Sequence, residues 1–441
     1  MVGFECSIER IAMSTTSDGL ETPATWRRDH HNDFDLDSVE FNEEYESAID
    51  DLVARCPVAH SSVGKGYHVV SRYADVRRIA QDWQNFSSAD GYQPNRPEEM
   101  PPIYPDECDP PYQTRWRRQL DHHLSPRVVR SYEASVTEHA NFLIDQFIER
   151  GEFDVVSEFA SVLPSRVWFN SFLGLPVEDL PPLMDAVEQA LVGPIEGRTE
   201  GWGKLFSYLD AHLKKRDGEE PRDDMMSAVL AGVELDEGFN PSMGGGPADA
   251  KIDMGAPCPW SHKVAALSNV TAGGLGTATY LIAGMAQYLA ANPEDAQRLR
   301  DDESLRPQAI EEFIRAFASV VAMARTATSE VEVAGTTFQP GDRVVLLFPG
   351  ATRDPEIYEN PGEIDIDRNF TVNAAFGFGP HRCIGSHLAR LLGKVALATM
   401  LERLPDLTAA EGNEPRYLTS VTREVSGIKL SFTPGLKLGG E

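Results

Sequence analysis

Cysteine is scarce in this sequence, and the few cysteines lie far apart. The 441 residues include five of them, which are Cys6, Cys56, Cys108, Cys258 and Cys383. An odd number without short spacings does not suit a disulfide framework. The closely spaced ligands of a zinc site and the several cysteines of an iron–sulfur cluster are also missing. We therefore expect a protein of a reducing compartment, the cytoplasm.

Basic residues and long apolar runs are also few. Lys and Arg number 40 against 69 Asp and Glu, a net charge of −29 that opposes binding to nucleic acids and anionic membranes. No apolar run approaches the roughly 18 residues that cross a bilayer. The segment from Met1 to Asp18 lacks the apolar centre of a signal peptide. With 41% hydrophobic residues, the chain predicts a soluble globular protein with a large core.

One cysteine lies in a glycine-rich loop directly before a predicted helix. The loop reads Phe376-Gly377-Phe378-Gly379-Pro380-His381-Arg382-Cys383-Ile384-Gly385, and apolar residues follow at helical spacing. A helix N-terminus favours an anion, so we expect the pKa of this cysteine to be lowered. The glycines allow a large flat group to approach the backbone. A lone thiolate here favours a single axial bond to haem iron; a structural cysteine in a turn is the alternative.

A second glycine-rich stretch lies inside a long apolar helix predicted for residues 261–291. Gly273, Gly274 and Gly276 each cost a helix about 1 kcal/mol relative to alanine. The stretch therefore predicts a kink or a close backbone approach, and packing of two helices is the alternative explanation. Thr277 can hydrogen-bond to the carbonyl of Gly273, or leave that carbonyl free for water or a ligand.

Charged and aromatic residues mark three further segments. Asp109-Pro110-Pro111 predicts a helix start with an aspartate N-cap, and the arginines that follow form either a solvated face or a docking surface. Glu312 and Arg315 lie three residues apart on a predicted helix and can pair. Residues 85–108 form a long loop with two tyrosines, which is typical of a lid or binding loop.

The ends and one internal stretch are polar. Residues 1–50 predict a surface arm that is partly flexible, in which His30 and His31 are solvated rather than metal-bound. Residues 237–260, rich in glycine and proline, predict a flexible surface connection.

The cysteine segment, Phe-x-x-Gly-x-His-Arg-Cys-x-Gly, resembles the haem-ligand loop of the cytochrome P450 monooxygenases. The Glu312-x-x-Arg315 pair, the helix around Thr277 and the Asp109-Pro110-Pro111 helix match further motifs in the family's order. Phe86-Ser87-Ser88, Gly273-Gly274-Leu275 and Val425-Ser426-Gly427 are similar to the camphor-hydroxylase branch. The resemblance covers residues 51–441 as one haem domain. It implies a mainly α fold with small β-sheets (α+β), with haem between a long distal helix and the helix after the cysteine loop.

The resemblance also implies roles for individual residues. Cys383 would be the iron ligand, and Thr277 would help protons reach oxygen. The family usually has an acid immediately before that threonine, but this chain has Gly276. The residues expected around haem b are Gln113, Arg117, Arg325, Phe376, His381, Cys383 and Gly385. The residues expected to support the loop are Glu312, Arg315 and Arg368. The residues expected near substrate are Tyr92, Tyr104, Val270, Gly273, Val321, Met323 and Val425.

The implied reaction inserts one oxygen atom from O2 into a C–H bond of a small or medium hydrophobic substrate. Electrons would come from NAD(P)H through a ferredoxin reductase and a [2Fe–2S] ferredoxin, which would dock on Arg117, Arg118 and Arg382. The protein is expected to be a monomer. The alternatives are a peroxide-driven peroxygenase, favoured slightly by the missing acid, and a non-catalytic haem sensor.

Overall fold

The computed structural model describes residues 26–235, 258–369 and 372–438, so residues 237–257 of the predicted flexible connection lie outside it. The described part is mainly helical with small sheets, which confirms the predicted fold class. The first eight helices are α1 (Val39–Glu43), α2 (Tyr45–Arg55), α3 (Tyr73–Gln81), α4 (Tyr112–Asp121), α5 (Pro126–Ser131), α6 (Glu133–Phe147), α7 (Val162–Arg166) and α8 (Leu180–Leu191). The next eight are α9 (Ile195–Arg216), α10 (Met225–Ala231), α11 (Trp260–Leu275), α12 (Thr277–Ala291), α13 (Pro293–Asp301), α14 (Arg306–Ala316), α15 (Phe348–Thr352) and α16 (Ser386–Arg403).

The strands form one larger sheet and three small ones. The first six are β1 (Val58–Ser61), β2 (Tyr67–Val70), β3 (Phe86–Ser87), β4 (Glu152–Asp154), β5 (Ala322–Ala327) and β6 (Val331–Val333). The other six are β7 (Thr336–Phe338), β8 (Arg343–Leu347), β9 (Thr408–Ala409), β10 (Arg416–Thr419), β11 (Arg423–Ser426) and β12 (Lys429–Ser431). The larger sheet has the order β1-β2-β8-β5-β3, and only β2 and β8 in it are parallel. The others are β10-β11, β4-β12-β9 and β6-β7.

Helix α16 lies at the centre of the fold. Its apolar residues recur at the spacing that the sequence shows, and Leu388, Leu391, Leu392 and Val395 are all buried. Because this stripe is wide, α16 packs against α6, α12 and α14 at once. The loop that precedes α16 is thereby fixed against the core. Within the described residues, every helix is too short or too polar to cross a membrane.

The long helix predicted for residues 261–291 is divided. Helix α11 ends at Leu275, α12 begins at Thr277, and Gly276 lies between them. The Gly276 N–H still reaches the Ala272 carbonyl, but the N···O distance is stretched to 3.4 Å. The glycine-rich stretch therefore produces the local break that its composition predicts.

The prediction that His30 and His31 are solvated is wrong. His30 and His31 are completely buried, and Phe34 and Phe41 belong to the main core. The imidazole Nε2 of His30 lies 2.7 Å from Glu44, and that of His31 lies 2.5 Å from Asp51. A carboxylate pairs with the Nε2 atom of each buried imidazole, which lowers the cost of its burial. These histidines therefore attach the segment to α2 and do not form a solvated pair.

Candidate active site

A cavity of about 280 Å³ lies between the α11–α12 break and the loop before α16. Residues far apart in sequence converge on it because β5 and the loop before α4 close its sides. Alternation along β5 places Met323 and Arg325 on the same face, and both line the cavity. The sequence-predicted residues that line it are Tyr92, Arg117, Val270, Gly273, Thr277, Met323, Arg325, Phe376, His381, Cys383 and Gly385.

Five of the residues predicted to act on haem, oxygen or substrate do not line the cavity. Gln113 donates its side-chain N–H to the carbonyl of Pro380 at 2.6 Å, and Tyr104 packs its ring against Tyr112 and His262. Val321 and Val425 are buried elsewhere in the core. The fifth residue, Gly276, lies behind the lining at the helix break.

The expected substrate contact of Val425 is replaced by neighbouring residues. Val421 and Thr422 line the cavity, because the chain reaches it at the turn before β11 and not along that strand. Likewise, Val320 and not Val321 faces the cavity at the start of β5. A one-residue change in register moves a side chain to the opposite face, so sequence alignment alone does not determine which side chain faces the cavity.

The cysteine loop is held in shape by backbone contacts. The Cys383 N–H donates to the Phe376 carbonyl at 2.8 Å. Gly379 has a φ of +68°, and a Cβ there would lie 2.2 Å from the carbonyl oxygen of Ala80. Only glycine fits at that position, where the loop meets the end of α3. The guanidinium of Arg390 lies 4.6 Å from the centre of the Phe376 ring and covers the loop from the other side.

The expected lowering of the Cys383 pKa is wrong. Burial raises the pKa of this thiol, and the Gly385 hydrogen bond and the charges of Arg117 and Arg382 offset the rise only in part. The thiol lies before the helix, since α16 begins at Ser386 with Gly385 as its N-cap. Desolvation outweighs the groups that favour the thiolate.

A buried charge network supports the region before the loop. Arg315 Nη2 donates to Glu312 Oε1 at 2.7 Å, and Arg368 Nε donates to Glu312 Oε2 at 2.9 Å. Arg315 also donates to the backbone carbonyls of Thr352, Pro361 and Glu363. The pairing that the spacing of Glu312 and Arg315 predicts is present. It joins α14 to the segment that leads into the cysteine loop.

The three glycines at the helix break have different surroundings. A Cβ on Gly274 would lie 2.7 Å from the Trp168 ring, so this glycine permits helix packing. A Cβ on Gly273 would meet nothing within 4 Å. A Cβ on Gly276 would face Leu191 and Val187 at 3.7 and 3.9 Å. An acid at position 276 would therefore point into an apolar wall.

Thr277 hydrogen-bonds back along its helix. Its hydroxyl donates to the Gly273 carbonyl at 3.0 Å, which is the first of the two arrangements that the sequence allows. The hydroxyl oxygen keeps its acceptor positions, because donating uses only its hydrogen. Thr277 lines the cavity, as Cys383 does.

Cationic groups lie on one wall of the cavity. Arg325 is 5% exposed, donates to the Ala324 carbonyl at 2.8 Å, and forms no ion pair with any described residue. Burial lowers its pKa to about 10, and the charges of Asp106 and Asp109 oppose this shift. The pKa of His381 lies well below its usual value because of burial and the charges of Arg325 and Arg117. His381 Nε2 lies 3.1 Å from the Ser88 hydroxyl.

Asp109 helps to build this wall in an unexpected way. The predicted N-cap role is wrong, since α4 begins at Tyr112 with Pro111 as its N-cap. The Asp109 carboxylate instead accepts hydrogen bonds from the Ser87 hydroxyl and the Ser88 N–H. It is therefore unavailable to the helix, and it holds the Ser88 hydroxyl beside His381.

The polar residues of the lining that the sequence analysis missed include Asp106 and Asn269. Helical spacing could have indicated Asn269, because it precedes Gly273 and Thr277 by one and two turns on the same face. No pattern in the sequence marks Asp106, which lies in an irregular turn.

The residues present fit a haem. The thiol of Cys383 suits an iron atom, and the apolar walls suit a flat apolar ring. The buried guanidinium of Arg325, which forms no ion pair with a described residue, suits the carboxylates of that ring. The glycines of the cysteine loop leave room for such a ring to approach the backbone.

Comparison with known proteins agrees with this arrangement. A sequence model of the family described as Cytochrome P450 matches residues 264–432. Cytochrome P450 130 of Mycobacterium tuberculosis is 32% identical over 360 residues, which cover 78% of this chain and 83% of that protein. A Vitamin D(3) 25-hydroxylase of Pseudonocardia autotrophica is 30% identical over 380 residues, covering 83% and 88%. The structure of the Bacillus subtilis bacillaene polyketide synthase cytochrome P450 PksS superposes with a TM-score of 0.77 at 23% identity, covering 90% of this chain and 99% of that one.

Proposed function

Because the chain belongs to the cytochrome P450 family and is thus a haem-thiolate monooxygenase, we propose that Cys383 is its iron ligand within a single haem domain of residues 51–441. The observation that supports this best is the shared cavity, which Cys383 and Thr277 both line and to which Arg325 contributes an unpaired cation. When bound, the haem supplies the oxidising chemistry that uses O2 and transfers one oxygen atom to a substrate C–H bond. The family assignment argues against a non-catalytic haem sensor.

Residues around the cysteine loop set the charge of the Cys383 sulfur and form the cationic wall of the cavity. The hydrogen bond with Gly385 favours the thiolate of Cys383 against the effect of burial. Cys383 would hold the iron as a thiolate, since a coordinating thiol is deprotonated. Arg325 and Arg117 would hold the haem carboxylates as charged donors, and His381 would add a ring nitrogen beside them. Phe376 supplies an apolar wall under Arg390.

Thr277 handles protons without the usual acidic neighbour. Its hydroxyl donates to Gly273, so its oxygen can accept a hydrogen bond from a water in the cavity. Gly276 cannot contribute a proton, and Leu191 and Val187 exclude polar groups from its side. We propose that an ordered water at Thr277 delivers protons to oxygen.

The charge network acts on the loop from a distance. Glu312, Arg315 and Arg368 lie outside the cavity lining, and their role is to fix the chain that precedes the cysteine loop. Because the partners satisfy each other in a buried place, loss of one charge leaves the others uncompensated.

The substrate is proposed to be a small or medium hydrophobic compound. Val270, Leu191, Val320 and Met323 give the lining its apolar character. We propose that electrons come from NAD(P)H through a ferredoxin reductase and a [2Fe–2S] ferredoxin, to a monomeric enzyme. Arg118 and Arg382 are exposed and suit an acidic ferredoxin. Arg117 connects this surface to the cavity, because its Nη1 donates to the Arg382 carbonyl at 2.7 Å.

A carbon monoxide difference spectrum of the reduced protein tests the ligand. Wild type should give the strongly red-shifted Soret band of cysteinate ligation, and Cys383→Ala should lose it. Cys56→Ala is the matched control, since Cys56 is buried far along the chain and should keep the band. The same band in Cys383→Ala would overturn the assignment.

A peroxide-driven reaction is the second candidate, favoured by the apolar surroundings of Gly276. Turnover supported by peroxide but not by ferredoxin and NADH would establish it. Gly276→Asp tests the same point, because it should change the share of reducing equivalents lost as peroxide. An unchanged share would mean that position 276 does not control proton delivery.

A further inference from the structure

One carboxylate lines the active-site cavity and has no assigned role. Among the described residues that form the lining, Asp106 is the only acid. It lies in the turn before α4, opposite the α11 residue Asn269, which also lines the cavity. The two other acids near it already have partners: Glu107 pairs with Arg96, and Asp109 accepts hydrogen bonds from Ser87 and Ser88.

The turn is anchored on both sides of Asp106. Glu107 is fully buried as a side chain and pairs with Arg96 at 2.9 Å, and it also accepts the Ile103 N–H at 2.9 Å. On the other side, the Tyr104 carbonyl accepts a hydrogen bond from Asn269 Nδ2 at 3.2 Å. Because its neighbours are fixed in this way, the position of Asp106 at the cavity is defined by the fold.

The charges of the cavity do not balance when Asp106 is included. Arg117 and Arg325 provide two positive charges on the lining. The two carboxylates of a haem would offset both arginines. Asp106 then adds a negative charge in a poorly solvated space, where an unpaired charge is costly.

The surroundings of Asp106 act on its charge in opposite directions. Burial raises its pKa, while the Asn269 hydrogen bond and the charges of Arg117 and Arg325 act in the opposite direction. In either form the carboxyl oxygens can accept a hydrogen bond from a ligand. The rest of the wall near Asn269, including Val270 and Tyr92, offers mainly apolar surface.

We propose that Asp106, together with Asn269, recognises a hydrogen-bond donor on an otherwise apolar substrate, and that a protonated amine is preferred over a hydroxyl. This inference rests on the proposed monooxygenase function and narrows its substrate class. A donor placed here satisfies the Asp106 carboxylate, and a cation also restores the charge balance of the cavity. A substrate carboxylate, in contrast, would meet a like charge.

Four probes of one shape test the proposal with the full-length haem-loaded protein. They are 1-adamantanamine, 1-adamantanol, 1-methyladamantane and 1-adamantanecarboxylate, and binding is followed by the spin-state shift of the ferric Soret band. Wild type should bind the amine most tightly, then the alcohol, then the hydrocarbon, and the carboxylate least. Asp106→Asn should weaken amine binding about tenfold or more, the size of a charge-assisted hydrogen bond, and change hydrocarbon binding less than about twofold.

Asp121→Asn is the matched control. Asp121 Oδ1 lies 3.5 Å from Arg117 Nε, and the Asp121 side chain is exposed. This variant therefore removes the same charge outside the cavity. It should keep the wild-type order of affinities. Asn269→Ala should reduce the preference for the amine as Asp106→Asn does.

Several results would overturn the proposal. These are an unchanged preference in Asp106→Asn, an equal loss for all four probes, binding of none of them, or direct nitrogen coordination to iron in both proteins. Loss of haem from Asp106→Asn would assign the residue to the haem pocket instead. The carbon monoxide spectrum separates the proposed function from the proposed role of Asp106. A wild-type protein without the cysteinate band would refute the proposed function. A normal band without donor preference would refute only the role of Asp106.

Discussion

Two glycines near the helix break, Gly274 and Gly276, should respond oppositely to the same substitution. In Gly274→Ala the new methyl group would lie 2.7 Å from the Trp168 ring, well inside van der Waals contact. Trp168 is 1% exposed, stacks on Phe172 with ring centres 5.2 Å apart, and donates to Thr271 at 3.3 Å. It therefore has little freedom to move. In Gly276→Ala the methyl group would meet Leu191 at 3.7 Å, an ordinary contact.

The comparison isolates the packing cost. Both substitutions gain the helix propensity of alanine, about 1 kcal/mol, so this gain cancels between the two variants. Overpacking of a buried site costs about 1–3 kcal/mol. We therefore expect Gly274→Ala to be less stable than Gly276→Ala by about 1–3 kcal/mol. Gly276→Ala itself should be slightly more stable than wild type, because its backbone is near-helical.

Urea unfolding followed by tryptophan fluorescence measures the difference between the variants. Trp168 also lines the cavity, so its displacement in Gly274→Ala should weaken the binding of bulky ligands, which the spin-state shift reports. Equal stability of the two variants would refute the reasoning, since it would mean that the Trp168 ring yields without cost.

Two further predictions concern buried titratable groups. Glu312→Gln should destabilise the protein by about 3–5 kcal/mol and reduce its haem content, because Arg315 and Arg368 lose their charge partner. Urea unfolding measures the loss of stability, and carbon monoxide spectra measure the haem content. An unaltered haem content would contradict the supporting role of Glu312. Burial lowers the pKa of His262 in the folded protein to about 4, against about 6.5 in the unfolded chain. Because the unfolded chain binds this proton more readily, the stability that neutral His262 contributes is complete above pH 6.5 and is lost as the pH falls below it. At pH 5 the loss should be about 2 kcal/mol, and His262→Gln, which cannot gain the charge, should show a correspondingly flatter dependence between pH 7 and 5. An identical dependence in both proteins would contradict this.

The features best predicted from sequence are those in which the chemistry lies within a few residues. The cysteine loop and the start of α16 are one continuous segment, so their order follows from the chain itself. Glu312 and Arg315 share a helical face, and Thr277 reaches the carbonyl one turn before it. Helical geometry brings the two partners of each pair within reach once the helix forms.

Long-range approaches could not be predicted in the same way. Whether Gly274 met a side chain depended on Trp168, which lies over a hundred residues earlier and packs against α11. Asp109 was expected to cap a helix, but its carboxylate binds Ser87 and Ser88 across the loop. His30 and His31 were expected in solvent, but carboxylates of the α1–α2 region pair with them in the core.

The sequence by itself determined the mainly α class, the cysteine loop that identifies the family, and the local pairs on α12 and α14. Only the tertiary structure decided which side chains face the cavity. It put Val421 and Thr422 in the place expected for Val425, and it brought Asp106 to the wall beside Arg117 and Arg325. The physical reason is that local spacing sets neighbours along a helix, whereas the register of a loop or strand depends on how distant elements pack.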